Sequence, residues 1–532
     1  MPLQNGRYKA AKPVHLAEGW TLTPLTPPSS LFGANGLRTG PDGRIYVAQV
    51  AGSQISALDV KTGALATISA VGSEIVAPDD VAFDTRGNLC VTEYYDGRVS
   101  VRGTDNKTRV LRDDVPGANG ITVHKDRLFI DECRIGGRLL ELDLNGGAPR
   151  VLLENLMMPN ALEVGPDGKL YFPILGTNEI HRIDPEGGAS ERVVGDLGGP
   201  TAVKFDSKGF IVSTQVGSGQ VLRIDPRSGE RTVLASLPPG IDNLTFVGER
   251  LFVSHFIGTI YEILSDGKTR TAVEGGLSWP LDVAVTDDGS LYIADGHHMF
   301  VVPPGGKLQV VAMFMNPGFP GNVRGLAAVG AELIVTTANG QVSRYRPGAS
   351  ESEVLADGLD QVYGVAVGAG GALAVAELGT GRVLSVKSGK VEVLADKLNK
   401  PVGVAFDADG NLFVSEQGAG RVVKLSGKSV ETVLDGLQQP QGIVVHAGQL
   451  YVVDAGKKTL TKLDLKTKAR SIVASELPVG APAGVTPKPL LGIAPFSGPQ
   501  GPFAGVTVGA DGTLYLSGDA DGSVLSLRQA RA

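Results

Sequence analysis

Pro159-Asn160-Ala161-Leu162-Glu163-Val164, Gly165-Pro166-Asp167-Gly168, Lys169-Leu170-Tyr171-Phe172 and, after a polar loop, Ile180-His181-Arg182-Ile183-Asp184 form the stretch whose reading decides the fold. Short apolar runs rich in Val, Ile, Leu and Tyr, separated by Asp-Gly or Gly-rich turns, are β-strands joined by hairpins. The order here is strand, turn, strand, loop, strand. The same order returns from Pro401-Val402-Gly403-Val404-Ala405-Phe406 through Asp409-Gly410, Leu412-Phe413-Val414-Ser415-Glu416 and Gly420-Arg421-Val422, and Glu431-Thr432-Val433-Leu434 adds a fourth run. A unit of about 40 residues recurs about twelve times from Asn35 almost to the C-terminus. Four strands per unit make the blade of a β-propeller.

Twelve blades around one axis would leave a wide, unfilled bore, whereas two rings of six enclose a channel that side chains can fill. The expectation is an all-β chain of two tandem six-bladed propellers: an N-terminal segment over 1–34, a first ring over 35–279 and a second over 280–532. The last repeat, Pro502 to Leu527, lacks a fourth strand. Trp20-Thr21-Leu22-Thr23-Pro24-Leu25 is placed to supply it, because closing a ring with strands from both ends removes exposed edges. Met313–Gly321 and Leu477–Gly501 interrupt the repeat as loops, either surface insertions or lids and partner-binding loops.

Gly at 73 and Pro at 32 of 532 residues supply dozens of tight turns, and a 42% apolar fraction is enough for cores, so disorder is excluded. The net charge of −7 shows neither a nucleic-acid footprint nor a basic membrane face. No apolar run is long enough to span a bilayer. Met1–Gly19 holds Lys9, Lys12 and His15 without an apolar core, so no signal peptide and a cytoplasmic location are expected, with Cys90 and Cys133 as buried thiols.

Strand one starts, and strand two ends, on the same face of a blade, at the channel mouth. At the start of strand one, blades one to six carry Asn35, Asp79, Asn119, Asn160, Thr201 and Asp242. Blades seven to twelve carry Leu281, Val323 or Arg324, Tyr363, Val402, Gln441 and Phe503, a mostly apolar set. Oxygens converging on one axis suit a hard divalent cation such as Ca²⁺, which takes six to eight oxygen ligands at about 2.4 Å. At strand-two ends the first ring has Gln49, Glu93, Glu132, Ile174, Thr214 and His255. His255 could serve as a general base, with Glu132 and Glu93 as further candidates. Glu377 and Glu416 share that blade position in the second ring, which favours a structural pairing with Arg98, Arg382 and Arg421. Asp295-Gly296-His297-His298 is read as a turn, because adjacent strand residues face opposite ways.

Pro159-Asn160-Ala161-Leu162 followed by Gly165-Pro166-Asp167-Gly168-Lys169-Leu170-Tyr171 resembles the signature of the senescence-marker-protein/gluconolactonase family and its strictosidine-synthase-like and paraoxonase-like relatives. Ala118-Asn119-Gly120-Ile121 and Ile241-Asp242-Asn243-Leu244 resemble the elements with which those six-bladed propellers hold a catalytic calcium. The resemblance implies divalent-metal-dependent hydrolysis of a lactone or related ester, a small-molecule substrate. The family pattern of two acids and two amides falls on Asp242, Asp79, Asn119 and Asn160 when the ring is counted from Asp242. The Glu-x-Gly-x-Gly-Arg-Val repeats also resemble virginiamycin B lyase-like propellers, which implies metal-assisted ring opening by elimination. A non-catalytic NHL-like interaction scaffold, with the apolar mouth of the second ring at Tyr363 and Phe503 as a partner surface, is the third expectation, and a homo-oligomer is left open.

Overall fold

The computed structural model describes Arg7 and residues 12–427, 429–494 and 497–530; Lys9 and the rest of the extreme N-terminus lie outside the described residues. Twelve antiparallel sheets of four strands follow one another along the chain, one of them extended by a fifth strand. The chain forms two compact units, each holding six of these blades. No α-helix occurs among the described residues, and no helix there is long and apolar enough to cross a membrane.

The first ring occupies Ser30–Ser278, and its unit also contains Thr486–Ile493. Each of its six sheets uses four consecutive strands, beginning with Leu37–Thr39, Ile45–Gln49, Gln54–Leu58 and Leu65–Ser69. Side-chain packing and hydroxyl bonds therefore close this ring without a shared strand. Leu31, Ala34 and Leu37 of the first blade pack against Phe252, Ile260 and Val273 of the sixth. Ser254 donates to the Asn35 carbonyl at 2.6 Å, and Thr39 meets Thr245 at 3.0 Å.

The second unit comprises residues up to Ser29, Trp279–Val485 and from Ala494 onward. Its last blade takes its outer strand from Trp20–Thr26, which pairs antiparallel with Ser523–Gln529, Trp20 opposite Gln529 and Leu22 opposite Leu527. His15–Leu16 adds a fifth strand to the blade before it, against Arg470–Ser475. Within the Pro-rich joint, the eight residues Thr486–Ile493 group with the first ring.

Within a blade, burial falls outward. Second strands such as Leu89–Glu93 and Leu412–Glu416 are buried at every position, because sheets of neighbouring blades cover both faces. Fourth strands leave one face in water, which exposes Val110, Val233, Val354 and Ile472. The Asp-Gly turn is fixed by two features: Gly168 sits at φ +79°, which favours glycine, and the Tyr171 hydroxyl donates to Asp167 at 2.9 Å. Asp42 and Tyr46 repeat the second bond at 3.2 Å. Asp295 pairs with His298 across a two-residue hairpin turn, Gly296-His297.

Candidate metal centre in the first propeller

First strands are broken at one recurring place. Pro78 pairs with Glu93 and Val81 with Val91, so Asp79 and Asp80 together oppose a single residue. The same extra residue falls at Asn119-Gly120 and at Asp242-Asn243. A β-bulge bends the strand and re-aims its side chains, here toward the channel. Asn160 lies in an equivalent irregularity between the Pro159–Ile174 bridge and the Glu163–Tyr171 pair.

A bulge leaves a backbone N–H without a ladder partner, and second-strand hydroxyls satisfy it. Thr92, Ser254, Thr336, Ser415 and Ser517 each accept the N–H of the second bulge residue of their own blade. Each also donates to the carbonyl of the mouth residue in the next blade, as Ser254 does to Asn35 and Ser415 to Gln441, both at 2.6 Å. In the third blade Asp131 takes the hydroxyl's place and accepts from Gly120 at 3.1 Å. Burial is the main cause that pushes its carboxyl up to about 8. Its second oxygen, Oδ2, is buried without a hydrogen-bond partner, where the hydroxyls of the other blades donate to the next mouth carbonyl.

Asp79, Asn119, Asn160 and Asp242 are all buried, at 6–8% exposure. Asp79 is raised well above the carboxylate range by desolvation and then by the charges of Asp242, Asp80 and Asp131. Asp242 is raised by desolvation and by Asp80, and a hydrogen bond from Asn35 opposes the shift. The Cys133 thiol, pushed up by burial, is raised further by the charges of Asp131, Asp79 and Asp242, and accepts from Asn160 Nδ2 at 3.6 Å. The Asp79 carboxyl and the Cys133 thiol thus both feel the charges of Asp131 and Asp242. Oδ1 of Asn119 and Oδ2 of Asp80 are buried oxygens without a hydrogen-bond partner.

Farther along the same strands the channel is ion-paired. Arg38 reaches Glu163 at 2.6 Å and the carbonyls of Val81 and Ile121 at 3.0 and 2.8 Å, and Lys204 lies 3.0 Å from Glu163. These cations hold the Glu163 carboxyl far below its usual range against the cost of burial. Nothing in the residue pattern of any single repeat marks Arg38, Glu163 and Lys204 as partners, since each comes from a different blade.

The candidate bases do not join the site. His255 Nε2 bonds the Pro239 carbonyl at 2.8 Å and Nδ1 accepts from the Ile257 N–H at 3.2 Å. That fixes the neutral tautomer, with a pKa lowered to about 4 chiefly by burial, and leaves neither nitrogen for a substrate. Glu93 accepts the Val76 N–H at 2.6 Å and bonds Arg98 and Ser100. Glu132 is held by Arg134 and Arg138. The same device serves the second ring, where Glu377 accepts from Asp360 and pairs with Arg382, and Glu416 accepts from Asn399 and pairs with Arg421. Gln49, Gln215, Asp295 and Asp454 likewise accept inter-blade N–H groups. This position turns its side chain into the joint between blades rather than the channel; in the fifth blade Gln215, not Thr214, occupies it.

The second ring's mouth holds Arg324, buried to 1% and stacked 4.6 Å from the Tyr363 ring, which meets Phe503 edge-on. Its guanidinium donates to the Val362 and Pro499 carbonyls. The Gly442 N–H bonds the Ala504 carbonyl, so Ala504, one residue beyond Phe503, is the mouth residue of the last blade. Below lies a cavity of about 250 Å³ whose lining includes Ala284, Ala327, Ala366, Val404, Ile443 and Val506.

Among the described residues no group of three or more His, Cys, Asp or Glu side chains could hold a metal. The donors in the first ring are instead two carboxylates with amide oxygens. That all-oxygen set fits a hard cation such as Ca²⁺, and the partnerless Asn119 oxygen and the carboxyls raised by burial and neighbouring negative charge are what a cation would relieve.

Residues 26–255 match the family model described as SMP-30/Gluconolactonase/LRE-like region. The matched stretch falls within the first propeller and its approach, so that part of the chain is similar to the SMP-30/gluconolactonase-like family. No curated protein matches the sequence. Among solved structures, a streptogramin B lyase is 18% identical with TM-score 0.39, over 52% of this chain and 96% of its own. The Xanthomonas campestris gluconolactonase XC5397 is 15% identical with TM-score 0.39, over 49% and 98%. A nidogen/laminin complex chain is 21% identical with TM-score 0.35, over 39% and 80%.

Proposed function

We propose that the first propeller is a divalent-metal-dependent hydrolase of a lactone or related ester, with the cation held by Asp79, Asp242, Asn119 and Asn160. The observation that carries this reading is the pair of buried carboxylates at the mouth position, each pushed toward protonation, in a ring whose mouth position also holds a buried amide oxygen without a partner, Oδ1 of Asn119. The family match over residues 26–255 supports the same chemistry. A bound divalent cation supplies Lewis-acid polarisation of the substrate carbonyl and lowers the pKa of water.

The chain's own groups do the rest. Asn35 holds Asp242 by a hydrogen bond, and the thiol of Cys133 holds Asn160, so both donors keep their orientation. Asp79, whose carboxyl burial raises well above the usual range, is the group suited to take a proton from an attacking water. The water oxygen bonds to the acyl carbon, the ester C–O bond breaks, and the proton passes to the leaving alkoxide, giving a hydroxy acid from a lactone.

The test is metal content and lactonase activity of the purified chain with and without chelator. Asp79→Asn and Asp242→Asn are expected to weaken Ca²⁺ binding at least tenfold and to abolish turnover, while His255→Gln retains both. Activity that survives chelation and both substitutions would refute the assignment. An unsaturated acid as product would replace hydrolysis with elimination.

A further inference from the structure

The Pro-rich joint before the last blade sends Thr486–Ile493 into the unit of the first ring. Lys488 Nζ donates to the Glu74 carbonyl at 3.3 Å, and its charge lowers the pKa of Asp96 against the larger upward effect of burial. The Ile493 Cδ1 lies 3.5 Å from where a Cβ on Gly117 would stand. Glu74 opens the linker that leads into Asp79, and Gly117 stands two residues before Asn119. The segment therefore packs on the loops that deliver two of the four proposed ligands, on the mouth face. Tyr94 lies on that face too, donating to the Cys133 carbonyl at 3.1 Å.

The composition of the segment is unusual for a connector. Pro487 and Pro489 stiffen it, Leu490 and Ile493 are buried, and Leu491 is 55% exposed, the most exposed large apolar side chain among the described residues. The other exposed apolar residues sit mainly on outer strands of blades, whereas Leu491 stands on a loop anchored beside the mouth.

We propose that Thr486–Ile493 is the outer wall of the first-ring site and that Leu491 receives an apolar substituent of the substrate. This makes the preferred substrate a lactone or ester bearing an alkyl or aryl group, and it rests on the hydrolase reading above. An apolar contact of this size discriminates by a factor of about ten to a hundred.

Two measurements test it. Leu491→Ser, and replacement of 487–492 by a Gly-Ser stretch of equal length, are compared with the unaltered chain on γ-butyrolactone and on a long-chain alkyl γ-lactone. The ratio of kcat/KM for the alkyl lactone to that for γ-butyrolactone is expected to fall about tenfold, with Ca²⁺ affinity by calorimetry unchanged. An unchanged ratio overturns the proposal. Independently of turnover, Leu491→Cys is labelled with an environment-sensitive fluorophore; Cys90 and Cys133 are buried and stay unlabelled. A saturable blue shift with the alkyl lactone, and none with γ-butyrolactone, supports the wall even if neither is hydrolysed, an outcome that would remove the hydrolase reading alone. Absence of a shift overturns the wall.

Discussion

Asp131→Thr should make the protein more stable at neutral pH, although it deletes a buried carboxyl from the heart of the proposed active ring. Five blades bridge the bulge N–H and the next mouth carbonyl with a Ser or Thr hydroxyl, and Asp131 accepts the same N–H from Gly120. Its folded pKa of about 8 stands against 3.8 for the free carboxyl. Between those values the folded chain binds a proton that the unfolded chain has released, so this group lowers stability as pH rises. Between pH 5 and pH 8 the loss is about 4 kcal/mol, taking ~1.4 kcal/mol per pH step. A threonine hydroxyl accepts from Gly120 and donates onward as the hydroxyls of the other five blades do, without the proton and without the partnerless Oδ2 that Asp131 buries. After allowance for altered packing, a net gain of about 1–3 kcal/mol at pH 7 is expected. Urea unfolding of both forms in chelator at pH 5 and pH 8 reads this out. The stability difference between them should grow toward the alkaline side by about 4 kcal/mol. A difference constant to within about 1 kcal/mol across that range would refute the protonated-carboxyl account.

The remaining expectations concern parts of the structure outside the metal centre. Removing residues 1–26 exposes the Ser523–Gln529 edge, so calorimetry should show the second ring's transition lowered and the first ring's unchanged. Glu416→Gln leaves Arg421 without its ionic partner and should cost about 1–3 kcal/mol with metal affinity intact. His255 titrates near 4 when folded and near 6.5 when unfolded, so its contribution is present above pH 6.5 and lost as pH falls toward 4. His255→Gln should flatten that acid limb while sparing turnover, as acid titration and a lactonase assay would show.

The ring architecture was legible because a blade is local: hairpin turns and period-two alternation lie within about 40 residues. Trp20–Thr26 could be placed as a closing strand because the last repeat visibly lacked one. The site was legible only in part. Reading the mouth position across repeats singled out Asp79, Asn119, Asn160 and Asp242, the ligands proposed for the cation, since bulges recur in register. It misassigned the strand-two position, where Glu93, Glu132 and His255 face the joints between blades rather than the channel. The signal was present, because Glu377 and Glu416 repeat the position in a ring whose mouth residues are mostly apolar. Arg38, Glu163 and Lys204 could not be found this way, because which side chains meet across a channel depends on strand tilt and stagger that no single repeat encodes.

The two rings answer one electrostatic problem in opposite ways. Both have bulges at the mouth that aim side chains into a desolvated channel, where an uncompensated charge is costly. In the second ring Arg324 brings its own cation, spread over the Tyr363 face and bonded to two carbonyls, and burial pulls its pKa down. In the first ring the mouth groups are carboxylates and amides, and burial pushes the carboxylates up. A mouth with a built-in guanidinium has no use for a metal, whereas the first ring's cations, Arg38 and Lys204, are paired with Glu163 farther along the channel, so its buried mouth carboxylates gain from a positive charge admitted beside them. Exchanging the two should therefore be asymmetric. Asp79→Arg would supply the first ring with an internal cation, relieve Asp242 and raise stability in chelator while abolishing Ca²⁺ binding. Arg324→Asp would leave a carboxylate among Tyr363, Phe503 and carbonyl oxygens, with no amide set around it, and should lower stability by about 3–5 kcal/mol without creating a metal site. Stability in chelator measured on both variants decides it: a loss in the first and a gain in the second would reverse the argument.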